Sequence, residues 1–121
     1  MAGPLEGYRI VDLSAMISGP IATMMLADQG ADVIKVERPG RGDLVREFGH
    51  HRSGISPLFS TSNRNKRSVA IDLKNPGGVS VLKRLVATAD VFVQNFRPGT
   101  VDRLGVDEPV MRDVKPDLIY V

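Results

Sequence analysis

Residues 8–37 read YRIVDLSAMISGPIATMMLADQGADVIKVE, and the change of pattern along them decides the fold. Tyr8–Leu13 and Asp32–Glu37 are short apolar runs rich in β-branched residues, the composition of strands. Between them Ser18-Gly19-Pro20 supplies a cap and a proline suited to a first helical turn. Ile21, Met24 and Met25 then fall at helical spacing, and Gly30 ends the segment. Strand, helix and strand in this order make a β-α-β unit, in which a helical crossover lays the second strand parallel to the first.

The same alternation continues outward. Ser68–Leu73, Asp90–Gln94 and Asp117–Val121 are further strand-like runs, and most of the five are apolar on both faces, as a covered parallel sheet requires. Asn75-Pro76 opens a helix whose Val79, Leu82, Val86 and Ala89 recur on one face. Two shorter helices are predicted, one within Thr100–Leu104 closed by Gly105 and one starting at Pro109 and ended by Pro116. Together these predict an α/β fold: a doubly wound, mainly parallel, Rossmann-like sheet with helices on both faces. Segment 38–67, broken by Gly40, Gly42, Gly49, Gly54 and Pro57, keeps no period and is predicted to be one long basic loop. The last run stops inside what should be a covered strand, so residues 1–121 are expected to be an incomplete, N-terminal part of a larger domain.

With 121 residues, 42% of them hydrophobic, the chain has the size and composition of one globular unit. It has no cysteine, which excludes disulfides, thiolate metal sites and a cysteine nucleophile, and a reducing compartment, the cytoplasm by default, is expected. The longest uncharged stretch, Leu13 to Ala27, is too short for a membrane span and contains Gly19 and Pro20. A net charge of +2 and few aromatics argue against nucleic acid as a partner. The distribution of charge says more than its sum. From Arg38 to Lys74, eight cations (Arg38, Arg41, Arg46, Arg52, Arg64, Lys66, Arg67 and Lys74) face three acids (Asp43, Glu47 and Asp72), which marks the middle third as the place for an anion.

In a doubly wound sheet, ligands sit on the loops after strands. The turn Ser14–Pro20 has one glycine where a dinucleotide fingerprint needs three, so an NAD or FAD site is not expected. It still offers backbone N–H groups at a helix start, or else is simply a capped connection. Arg38, after the second strand, could grip a phosphate with two parallel hydrogen bonds, or pair with a nearby acid. Asn95-Phe96-Arg97 sets an amide, an aromatic face and a cation in succession; a purine could stack there, or Phe96 could pack inward. His50-His51 lacks a third ligand at useful spacing, so no metal is expected, and no residue earns a catalytic role from pattern alone.

The residues so far assembled resemble the N-terminal region of the family III CoA-transferases, the group of formyl-CoA transferase, carnitine CoA-transferase and α-methylacyl-CoA racemase. The resemblance runs over essentially the whole chain. It is carried by Pro4–Gly7, Val11–Ser14, Gly19-Pro20, Leu26–Pro39, Asn65–Ser68, Asp72–Lys74 and Asp90–Gly99. It implies a site for CoA or acyl-CoA as substrate, with no tightly bound cofactor. Carried over by position, Arg38 resembles the family's phosphate- or adenine-side arginine, and Ile71, Asp72, Leu73 and Lys74 the segment lining the nucleotide. Asn95, Phe96 and Arg97 resemble the turn along the pantetheine, Arg103 a further CoA-contacting arginine, and Ile17 and Ser18 the turn nearest the thioester. Lys66 and Arg67 belong to the motif, but one or both would anchor the loop to neighbouring carboxylates.

The resemblance further implies CoA transfer between an acyl-CoA and a small carboxylic acid through an aspartyl anhydride and an aspartyl-CoA thioester. The nucleophilic aspartate is expected beyond residue 121, so this chain alone is expected to bind without turnover. The full-length protein is expected to form a homodimer. The length of 38–67 favours a transferase over an acyl-CoA racemase, and a non-catalytic CoA-binding module stands as a further alternative. Ile17 stands where some members carry a glutamine, which points away from formate or oxalate and toward a larger or more apolar acyl group.

Overall fold

A computed structural model describes residues 2–121. Five strands, β1 (Arg9–Asp12), β2 (Asp32–Glu37), β3 (Lys66–Ala70), β4 (Val91–Val93) and β5 (Ile119–Tyr120), form one sheet in the order β3-β2-β1-β4-β5. Every pair is parallel, and central β1 sets Val11 opposite Ile34 on one side and Phe92 on the other.

Alternation along the strands divides the core. Ile10, Val33 and Val93 face one way, packing with Ala27 of α1 (Ser18–Asp28). Val11, Val36 and Phe92 face the other way, under Leu82 and Val86 of α3 (Pro76–Val86) and Met111 of α5 (Glu108–Val114). Helices therefore cover both faces, as the period of 2 in the strands and 3.6 in the helices dictates. The predicted stripe of α3 is real: Leu82, Val86 and Ala89 are fully buried, and the Asn75 side chain caps the helix by accepting the Gly77 N–H at 2.8 Å. The short helix α4 (Thr100–Leu104) is closed by Gly105 in the left-handed conformation that glycine adopts without strain.

Three local expectations need correction. The N-cap of α1 is Ile17, not Ser18, and no side chain caps the helix; Ser18 is already its first residue. Pro20 is accommodated because the first N–H groups of a helix have no partner within it. The third strand starts at Lys66 and ends at Ala70 rather than running from Ser68 to Leu73. Its partner β2 ends at Glu37, opposite Ala70, and Arg38-Pro39 leaves the sheet, so Ile71–Leu73 become part of the turn into α3.

The third correction concerns 38–67, which is not one loop. It holds a short 3-10 helix (Leu44–Glu47), helix α2 (Pro57–Asn63) and the first residues of β3. Ser56 caps α2, accepting from the Phe59 N–H at 3.3 Å and donating to the carbonyls of Val45 and Phe48. The buried residues of α2 are Ser62 and Asn63, so it has no apolar stripe for periodicity to find. Ser56-Pro57, a cap followed by a proline at the first helical position, was the available signal.

Candidate functional site

From β1 the chain winds toward β3 and then returns to place β4 on the other side, so the order of the sheet reverses between β1 and β4. Such a reversal leaves a crevice at the carboxyl ends of the strands. A hollow of about 290 Å³ lies there, walled by Leu13, Val36, Ile71, Leu73, Phe96 and Leu104, with Arg38 and Lys74 among its lining. A second, more open hollow of about 700 Å³ adjoins it, sharing Leu73, Lys74 and Leu104 and adding Lys83 and Arg103.

The disposition of positive charge separates this region from the rest of the surface. Nine of the sixteen Lys and Arg side chains meet a carboxylate, including five of the eight in 38–74. Arg41 pairs with Glu47, Arg46 with Glu37, Arg64 with Asp28, Lys66 with Asp12, and Arg67 with Asp32. The apparent surplus of that segment is largely cancelled by acids from β1, α1 and β2. Among the described residues, the cations left without a carboxylate are Arg38, Arg52, Lys74, Lys83, Arg84, Arg97 and Arg103. Four of these, Arg38, Lys74, Lys83 and Arg103, line the two hollows. Arg38 gives only its Nε to the Gly42 carbonyl at 3.1 Å, so its terminal amino groups stay available.

A set of buried charges holds the frame of the apolar hollow, Glu37 as part of its lining and Asp12 through the lining residue Ser14. Asp12, wholly buried, accepts the Ser14 amide at 2.9 Å, the Ser14 hydroxyl, the Thr23 hydroxyl at 2.6 Å and the Lys66 ammonium at 2.9 Å. Burial pushes its carboxyl up, but Lys66, the two hydroxyls and Lys35 outweigh that and hold it below the ordinary range. Burial draws the Lys66 ammonium down, only partly opposed by Asp12. Glu37 accepts from Arg46 at 2.7 and 2.8 Å, from the Asp43 amide at 2.8 Å and from the Ser68 hydroxyl at 2.8 Å. Burial would raise its pKa, yet these donors bring it down to about 2. The Arg46 guanidinium also lies 3.5 Å from the centre of the Phe59 ring, which ties α2 to the 3-10 helix.

Of the residues singled out from sequence, Arg38, Ile71, Asp72, Leu73, Lys74 and Phe96 come together around the first hollow, and Arg103 joins Leu73 and Lys74 around the second. Asp72 caps the turn, accepting the Lys74 amide at 3.0 Å. Ile17 and Ser18 stand exposed at the start of α1, and Arg97 is exposed beyond β4, outside the lining of either hollow. Asn95, exposed after β4, turns part of its amide to the neighbouring loop. Its Oδ1 accepts the Ala15 N–H at 2.9 Å and its Nδ2 donates to the Ala15 carbonyl at 2.8 Å, so it bridges the two loops after β1 and β4. Lys83, Leu104 and Leu13 were not foreseen as lining, whereas Ser14 and Ala15 belong to the turn after β1 already singled out as a place for a ligand. Lys83 follows buried Leu82 on α3 and stands four residues from Val79, on the flank of the inward stripe, which was the legible clue.

Comparison with known proteins bears on these features. The sequence model of CoA-transferase family III matches residues 5–121. Human succinyl-CoA:glutarate CoA-transferase is 46% identical over 118 residues, covering 97% of this chain and 27% of its own length. Formyl-CoA:oxalate CoA-transferase of Rhodopseudomonas palustris (strain BisA53) is 45% identical over 120 residues, covering 98% of this chain and 28% of its own. The crystal structure of a CAIB/BAIF family protein from Brucella suis superposes with a TM-score of 0.92 at 38% identity, over 99% of this chain and 33% of that one. The chain thus spans between a quarter and a third of the length of these relatives.

Two measurements test the charge assignments. Lys66→Ala strands the buried Asp12 carboxylate and is expected to cost about 3–5 kcal/mol in urea denaturation. Arg67→Ala removes an ion pair whose arginine is 63% exposed and is expected to cost about 1 kcal/mol or less. The Glu37 carboxyl is depressed from 4.5 to about 2 in the folded chain. Its contribution is therefore complete above pH 4.5 and is lost as the pH falls through about 2. Denaturation at a series of pH values should show the stability gap between the parent and Glu37→Gln at its widest near neutrality and shrinking across that window; a gap that is constant or widens toward acid contradicts the assignment.

Proposed function

The chain belongs to CoA-transferase family III, and from that premise we propose that residues 1–121 are the CoA-binding portion of a longer CoA-transferase subunit. The observation that carries the reading is the company kept by the unpaired cations. Most positive side chains in the chain are already neutralised, while four that are not rim an apolar slot and its open neighbour at the sheet's reversal point. A ligand suited to that arrangement is long, partly apolar, and carries phosphates toward one end, which describes acyl-CoA. In this reading Arg38 reaches a phosphate from the end of β2, Lys74, Lys83 and Arg103 meet the others, and Ile71–Lys74 with Phe96 cover the nucleotide and pantetheine. Asn95 acts indirectly, by holding Ala15, and Ile17 with Ser18 stand nearest the thioester.

The chemistry we propose for the whole subunit follows from the resemblance. An aspartate outside residues 1–121 attacks the thioester carbonyl; the carbon–sulfur bond breaks, CoA leaves as thiolate, and a mixed anhydride remains. The thiolate then attacks the aspartyl carbonyl, expelling the donor carboxylate and leaving an enzyme-CoA thioester. The acceptor carboxylate reverses the two steps, so each hard transfer is divided into easier ones. Two of the three relatives described above carry CoA-transferase names, which favours transfer over racemisation. Exposed, apolar Ile17 suits an acyl group larger than formyl or oxalyl. A homodimer of full-length subunits in a reducing compartment such as the cytoplasm completes the proposal.

Calorimetric titration of the folded 121-residue chain with CoA tests the site. Removing one charge-assisted hydrogen bond costs about 1.5–3 kcal/mol, so Arg38→Ala and Arg103→Ala should each weaken binding by about tenfold or more. Arg84→Ala, an unpaired cation on α3 outside both hollows, should leave it unchanged. Equal losses in all three, or no binding by a chain shown to be folded, would contradict the placement.

A further inference from the structure

The connection from β1 to α1 is held in a conformation its own sequence does not favour. Met16 has φ 69°, in the left-handed region that a side-chain-bearing residue rarely adopts and that persists where the surroundings over-determine it. Those surroundings come from three places. The Lys35 ammonium donates to the Ser14 carbonyl at 3.0 Å, Asn95 takes both backbone groups of Ala15, and Asp43 Oδ1 accepts the Met16 N–H at 3.0 Å.

Asp43 is the least expected of these. It reaches the turn from the far side of β2, buried, with its own amide bonded to Glu37 and its Oδ1 also capping the 3-10 helix at Val45. Its Oδ2 meets only the Lys35 ammonium, at 2.8 Å, and both side chains are 1% exposed. A buried ion pair is a weak source of stability, because desolvation offsets the attraction and an apolar pair of similar volume serves as well. What an apolar pair cannot supply is an acceptor at the Met16 amide.

We propose that Asp43 is a positioning residue: by accepting the Met16 amide it fixes the β1–α1 turn, whose Ser14 and Ala15 line the first hollow. Lys35 supports it by neutralising the carboxylate and holding Ser14. Gly42, Asp43 and Leu44 also line the first hollow, so one short segment both walls the cleft and shapes the turn that opens onto it. The fixing of the turn stands on geometry alone; its effect on ligand affinity rests on the CoA reading above.

Two neutral replacements of the pair separate the acceptor from the charge. Lys35→Met with Asp43→Asn keeps an oxygen for Met16, whereas Lys35→Met with Asp43→Leu removes it. Hydrogen exchange at the Met16 amide and calorimetric CoA affinity are read in both, with urea midpoints recorded to distinguish local from global opening. Met16 should exchange slowly in the parent and the Asn variant, and at least tenfold faster in the Leu variant beyond any change in global stability. CoA affinity should be about tenfold lower in the Leu variant than in the Asn variant, since both lack Lys35 and differ only in the acceptor. Equal Met16 exchange in the two variants, or equal CoA affinity in the two when both fold, overturns the proposal. If the Leu variant does not fold, Asp43→Ser with Lys35→Met, too short to reach Met16, takes its place with the same two outcomes. A parent chain that fails to bind CoA sinks the functional reading and leaves Met16 exchange to decide on Asp43.

Discussion

A charge removed from water must be met by its opposite, and that constraint organises this molecule. Lys35 and Lys66 put their ammonium groups where almost no solvent reaches, and each is answered by an aspartate buried as deeply. Glu37 at the end of β2 is answered by Arg46. These three pairs join β1, β2, β3 and the segment between β2 and β3. Because they and six exposed pairs consume most of the basic side chains, the few cations left over are informative, and their concentration around one crevice is what distinguishes that crevice from an ordinary surface groove.

The fold was legible where the sequence repeats with a period. The β-α-β unit of residues 8–37 and the stripe Val79, Leu82, Val86, Ala89 show up because the residues facing the core are apolar and regularly spaced. Helix α2 left no periodic signal, only its Ser56-Pro57 start, because the residues it turns inward are Ser62 and Asn63, which are held by hydrogen bonds to the helix's own carbonyls and carry no hydrophobic pattern. The limits of β3 were misjudged for another reason: a strand ends where its neighbour stops pairing with it, and Pro39 on β2's exit decides that from far along the chain.

The candidate site was half legible. Arg38, Ile71–Lys74, Phe96 and Arg103 converge as the loops after parallel strands must. Which cations are free could not be read, because the acid that neutralises Lys66 lies 54 residues away in β1 and is brought beside it only by the sheet order. Counting charges along 38–74 therefore overstated the local excess, and counting partners in space corrected it. The bonds of Asn95 to both backbone groups of Ala15 were hidden for the same reason, because the turn after β1 that it meets lies 80 residues away in the sequence.

The central claim is that the free cations and the apolar slot form one site for CoA at the reversal of the sheet. Two-dimensional amide correlation spectra of the isotopically labelled chain, recorded as CoA is added, test it most directly because they report position as well as affinity. The account expects shifts concentrated at residues 13–18, 36–44, 71–83 and 94–104, with the Arg64–Arg67 surface unmoved. Shifts centred on Arg64–Arg67, or scattered over the basic surface and abolished by moderate salt, would contradict it.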